Sequence, residues 1–130
     1  LEQRVELREA AEAYTLEHML DEATFRRESD KALEVLKQAL IAAEDEAAGF
    51  EFEDNNGVMN ILFENGSSKF VVTPNTPVRQ IWISAQATSF KLEWSEEAHA
   101  FVLPKTGEAL LSLIERLLRD HLGDPSIQLT

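Results

Sequence analysis

Phe50-Glu51-Phe52-Glu53-Asp54-Asn55-Asn56-Gly57 is the stretch in which the hydrophobic period of this chain changes, and the fold turns on it. Phenylalanine alternates with glutamate at a step of two, the pattern of a strand with one buried face. Asp54-Asn55-Asn56-Gly57 then supplies residues that tolerate positive φ, which is hairpin chemistry. Strands are expected at Phe50–Glu53 and Val58–Phe63, then at Ser68–Val72, Arg79–Ala85, Ser89–Trp94 and Ala100–Leu103. They are separated by Asn65-Gly66, the Thr73-Pro74-Asn75-Thr76-Pro77 corner and Ser95-Glu96-Glu97. Connections this short favour an antiparallel meander, because a parallel crossover needs about a dozen residues or more.

Upstream the period is helical. No proline or glycine precedes Gly49, and Ala, Glu, Leu, Arg and Lys, all good helix formers, supply most of the residues. A break is expected near Leu20-Asp21, with Asp21 or Thr24 capping a new helix. Phe25, Ser29, Ala32, Leu33, Leu36, Leu40 and Ala43 recur along one face, opposite Arg27, Asp30, Lys31, Glu34, Lys37, Gln38 and Asp45. Gly49 is placed to stop that helix. A last helix is expected from about Gly107 to Leu122, capped by Thr106. Its inward residues would be Leu110, Leu113, Ile114, Leu117 and Leu118, and Gly123 and Pro125 would end it.

The class this layout implies is α+β: a two-layer α/β sandwich whose antiparallel sheet carries the N- and C-terminal helices on one face. The other sheet face is left to water or a partner. The domain is expected to span residues 21–123, with a helical extension at 1–20 and a C-terminal tail at 124–130. The chain opens on Leu1 rather than Met, which points to a trimmed or processed N-terminus.

The 130 residues hold 12 Lys and Arg against 24 Asp and Glu, for a net charge of −12, and no cysteine. The acidity is local: residues 1–54 carry 16 acids and 6 bases, residues 55–130 only 8 and 6. Such a surface repels phosphate backbones and anionic lipid, so neither nucleic acid nor membrane is an expected partner. No apolar run approaches the roughly 20 residues of a membrane span. Without cysteine there is no disulfide, thiolate metal site or thiol nucleophile. Neither a Gly-x-Ser-x-Gly elbow nor a phosphate-binding or dinucleotide glycine loop is present, which leaves acyl transfer, nucleotide hydrolysis and hydride transfer without a foothold.

Two candidates for function remain. In Arg79-Gln80-Ile81-Trp82-Ile83-Ser84, isoleucines facing the helices would turn Gln80, Trp82 and Ser84 outward. An outward indole is a preferred interface anchor, although it could equally serve only to shield its cross-strand neighbours. The acidic stretch is the second candidate, since its carboxylates are hard oxygen ligands for weakly held cations. Against that, Arg26, Arg27, Lys31 and Lys37 lie among the acids and can pair with them as an ordinary solvated helix face. His18, His99 and His121 are widely spaced, and the single Glu96-x-x-His99 falls in an expected loop, where a surface or capping histidine is the simpler reading.

Phe63-Glu64-Asn65-Gly66-Ser67, Pro77-x-x-Gln80-Ile81-Trp82-Ile83-Ser84, and Thr106-Gly107 leading into a Leu-rich helix together resemble the frataxin family, in its bacterial, CyaY-like form. The likeness runs from about Asp21 to Gly123. The chain departs from the family at Lys37-Gln38-Ala39-Leu40, where members tend to carry acids, and at Thr73-Pro74-Asn75, where they carry Asn-Lys/Arg-Gln.

The resemblance implies the same sandwich and a role as an iron-binding regulator or adaptor of iron–sulfur cluster assembly, docking on the cysteine desulfurase and its scaffold protein. It implies weakly bound iron, Fe²⁺ or Fe³⁺, on Asp21, Glu22, Glu28, Asp30, Glu34, Glu44, Asp45, Glu46, Glu51 and Glu53. It places the partner contact on Asn75, Gln80 and Trp82. No catalytic residue is expected, and the state expected is a monomer that iron can assemble further. The compartment would be the cytoplasm in a bacterium or the mitochondrial matrix in a eukaryote. Two other functions fit the same residues: a ferroxidase or iron-storage protein using these carboxylates, and an acidic interaction domain without metal.

Overall fold

A computed structural model describes residues 20–46, 49–64, 66 and 69–130, with only the backbone of residues 45 and 46. The extension expected at 1–20 lies outside the described residues except for Leu20. The elements are α1 (Glu22–Glu46), β1 (Phe50–Asn55), β2 (Val58–Phe63), β3 (Phe70–Asn75), a 3₁₀ turn (Thr76–Val78), β4 (Gln80–Ala85), β5 (Thr88–Ser95), β6 (Ala100–Val102) and α2 (Leu110–Leu122). The strands form one six-stranded sheet in the order β1-β2-β3-β4-β5-β6, each pair antiparallel. It is the meander that the short connections required.

Asp21 starts α1, its carboxylate accepting the Thr24 N–H at 2.7 Å. Those bonds to Thr24, helped by Arg27 and Arg79, hold the Asp21 carboxyl below its ordinary range. Thr24 is therefore capped rather than capping. Phe25, Ser29, Leu33, Leu36, Leu40 and Ala43 are buried along the stripe that the period marks. In α2 the buried residues are Leu110, Leu113, Ile114, Leu117 and Leu118. Both stripes close over one sheet face, which contributes Phe50, Met59, Ile61, Phe63, Phe70, Val72, Ile81, Ile83, Leu92 and Phe101 to the same core. Burying each large side chain contributes about 1.5–3 kcal/mol, so a sheet with one covered face is enough for a chain of this length. Gly49, at φ 121, joins helix to sheet where a Cβ would stand 3.2 Å from the Leu122 side chain.

Several boundaries differ from the sequence expectation, each for a local reason. β3 does not end at Val72 but runs on through Thr73, Pro74 and Asn75. The last β2–β3 pair is Met59 with Val72, so beyond it β3 has only β4 as neighbour, and Pro74 sits as it would in an edge strand. Asn75 consequently belongs to a strand, paired with Gln80, rather than to a loop.

The α2 helix starts at Leu110, not Gly107, and Ala109 is its cap. The Thr106 hydroxyl accepts the Glu108 N–H at 3.1 Å, and Leu103 N–H donates to the Glu108 carbonyl at 2.8 Å. These bonds hold residues 103–108 in a turn that brings Ala109 against Val102 as a last β-bridge. Arg116 fastens the turn with two bonds to the Glu108 carboxylate, at 2.8 and 3.0 Å.

The tail after Gly123 is part of the fold. Ile127 and Leu129 are buried in the core. Arg119 donates to the Ile127 carbonyl at 2.7 Å, and the Glu115 carboxylate accepts the Leu129 N–H at 2.8 Å. That bond, chiefly, holds Glu115 below its ordinary value of 4.5. A carboxylate lowered in the fold stabilises it fully above the ordinary value and stops doing so as the pH falls through the folded-state pKa. Glu115→Ala should therefore cost about 1–2 kcal/mol near neutrality and should flatten the loss of stability on acidification below pH 4.5. Thermal melts across that range check this, and an unchanged acid limb would contradict it.

The β4–β5 hairpin closes through Gln86 and Ala87, at φ 53 and 60, the left-handed pair of a type I′ turn. Neither residue favours that region, in contrast to Asn56-Gly57 in the β1–β2 turn at φ 54 and 87. Replacing Gln86-Ala87 with Asn-Gly should raise stability by about 1 kcal/mol. Denaturant unfolding measures it, and no gain would mean that this turn carries no strain.

Candidate functional site

Strand β4 decides what the uncovered sheet face presents. Ile81 and Ile83 are 0% and 1% exposed beneath the helices, so Gln80, Trp82 and Ser84 point the other way. The register sets Trp82 between Thr73 on β3 and Lys91 on β5, and sets Gln80 between Asn75 and Glu93. Gln80 and Trp82 thus share the face that alternation along the strand predicts, and Asn75, expected in the preceding corner, joins them there as the β3 partner of Gln80.

The indole does not hang free. Its Nε1–H donates to the Gln80 Oε1 at 2.8 Å, and Gln80 Nε2 donates to the Glu93 Oε1 at 3.0 Å. The Lys91 ammonium lies 4.9 Å from the ring centroid, a cation–π contact. Trp82 is half-buried by these neighbours. The arrangement is an aromatic anchor held in one orientation on a face otherwise made of polar and small aliphatic side chains. Sequence reasoning missed Lys91, Glu93 and Thr73. Reading Gln86-Ala87 as a two-residue turn would have paired Trp82 with Lys91, but that dipeptide carries no turn signal.

Among the described residues the acids are spread over both flanks of α1 and the open side of β1. Glu22 pairs with Arg26 at 2.7 Å, and Glu28 faces Arg27 at 3.6 Å and Lys31 at 3.8 Å. Asp30, Glu34 and Asp54 border a cleft of about 220 Å³ between α1 and the β1–β2 hairpin, with Lys37 among them, 3.7 Å from Asp54. Glu34 also accepts from Gln38 at 3.0 Å. Glu28 lies on the opposite flank of α1, lining a cleft of about 340 Å³ with Lys31, Val35, Trp94, His99 and Leu111. Glu51 and Glu53 are exposed on the open side of β1, and Glu44 is partly exposed near the end of α1. The side chains of Asp45 and Glu46 lie outside the described residues.

Among the described residues no three carboxylates or histidines are placed to hold a metal ion. The carboxylates among the described residues therefore form no enclosed iron site. Glu96 and His99 both serve Trp94: Glu96 accepts the indole N–H at 3.0 Å and the His99 ring stands edge-on at 5.0 Å. His18 lies outside the described residues. The His121 ring lies 4.0 Å from that of Phe63 and 5.2 Å from that of Phe70. No helix among the described residues is long and apolar enough to cross a membrane.

Comparison with known proteins agrees with this architecture. The chain is 28% identical over 104 residues to the iron–sulfur cluster assembly protein CyaY of Pseudomonas fluorescens (strain Pf0-1), covering 80% of this chain and 91% of that protein. The CyaY of Pseudomonas entomophila (strain L48) is 29% identical over 93 residues, covering 71% and 84%. The structure of frataxin from Psychromonas ingrahamii superposes with a TM-score of 0.72 at 13% identity, over 85% of this chain and 99% of that one, and so shares its fold. The sequence model of the Frataxin-like domain matches residues 18–124. A six-stranded antiparallel sheet with both helices on one face, carrying this match over most of its length, places the chain in the frataxin-like family.

Proposed function

We propose that this chain works in iron–sulfur cluster assembly as a non-catalytic adaptor, docking through its open sheet face on a cysteine desulfurase and its scaffold protein and modulating sulfur and iron delivery. The observation that carries the proposal is the tethered indole of Trp82 on the face that the helices leave uncovered. Relatives that share most of the chain are named for cluster assembly, which supports the process. A rigid aromatic anchor with polar neighbours is how an interface concentrates its binding energy. The acids contribute differently. Their field draws a basic partner surface toward the docking face and gathers Fe²⁺ as a loosely held cargo.

The dispersal of the carboxylates among the described residues supports this over an iron-oxidising or storage role, which would need several oxygens converging on one ion. Binding should accordingly fall with salt and tolerate single neutralisations. Trp82→Ala should leave the circular dichroism spectrum unchanged and weaken docking by about 2 kcal/mol, roughly 30-fold. Capture on an immobilised desulfurase–scaffold complex, at two salt concentrations and with and without Fe²⁺, measures this. Equal capture of the variant would remove the sheet face from the interface.

A further inference from the structure

Arg79 is a non-glycine residue in the left-handed region, at φ 55 and ψ 44. It stands between the 3₁₀ turn and the first residue of β4. A residue bearing a Cβ keeps that conformation only where its surroundings hold it. Here the main-chain N–H of Arg79 donates to the Thr76 carbonyl at 3.1 Å, and the guanidinium Nη1 donates to the same oxygen. The guanidinium Nε reaches the Leu20 carbonyl at 3.2 Å, 59 residues away and one residue before the Asp21 cap. One side chain thus clasps the beginning of α1 to the turn from which β4 departs.

The next residue is Gln80, whose carboxamide accepts the Trp82 indole and donates to Glu93. Its position is set by the backbone that Arg79 pins. We propose that Arg79 is a positioning residue, fixing the first residue of β4 and, through Gln80, the orientation in which Trp82 meets a partner. A lysine could keep the charge but not the fork that bonds two carbonyls at once. The docking part of this inference rests on the function proposed above; the indole part does not.

The test uses Arg79→Gly, which accepts the left-handed backbone without strain, and Arg79→Lys, which keeps the charge. In ¹⁵N spectra the Trp94 indole, bonded to Glu96, serves as an internal control. Both variants should keep the Trp94 indole resonance, whereas the Trp82 indole N–H should shift and exchange with solvent about tenfold faster. Capture by the desulfurase–scaffold complex should fall about fivefold, as an anchor that is no longer pre-oriented binds less well. An unmoved Trp82 resonance in either folded variant would overturn the proposal, in Arg79→Lys alone because charge, not the double clasp, would then suffice. Should Arg79→Gly not fold, Arg79→Lys carries the test. If the unmodified chain is not captured at all, the proposed function fails, while the indole resonance still decides the role of Arg79.

Discussion

The burial of Ile81 and Ile83 beneath two helices is the constraint from which the rest follows. A strand alternates its side chains with a period of two, so sealing two isoleucines on one side commits Gln80 and Trp82 to the other. A one-residue slip of β4 would send the isoleucines to water and the indole to the core. The two antiparallel pairings of β4, with β3 on one side and β5 on the other, resist that slip, and it would take Ile81 and Ile83 out of the core that both helices close. The exposure of an aromatic ring is therefore built into the core, not added to the surface.

What the open face does with that ring depends on its neighbours. Gln80, itself bonded to Glu93, fixes the indole N–H, and Lys91 covers part of the ring, so the proposed anchor is already held in one orientation. An anchor already in place loses less conformational freedom on binding. The acidic surface has the opposite character. Its carboxylates sit on three separate sides of α1 and β1, several already paired with arginine or lysine, and they act together only through their summed field. In the function proposed, specific contact and long-range attraction are divided between two parts of one small domain.

Much of this architecture is visible in the residues. The change of period at Phe50, the Asn56-Gly57 turn and the leucine stripe of the last helix are local patterns backed by burial, and they mark sheet, hairpin and helix. What escapes them depends on distant partners. Pro74 reads as a corner until the early departure of β2 makes it an edge residue of β3. Gln86-Ala87 falls between two expected strands but carries no turn signal of its own, because its geometry is imposed by the strands it joins. Thr106 has the chemistry of a helix cap and instead closes a turn against Glu108. The candidate face shows the same division. Trp82 and Gln80 follow from alternation along β4, whereas Lys91 and Glu93 require the register across it. The clasp of Arg79 on Leu20 spans 59 residues and has no local signal.

Hydrogen–deuterium exchange of the chain, alone and with the desulfurase–scaffold complex, tests the central claim most directly. The account predicts slowed exchange across β3, β4 and β5, centred on Trp82, with α2 unchanged. Slowed exchange confined to the helices, with β4 exchanging as in the free protein, would contradict it.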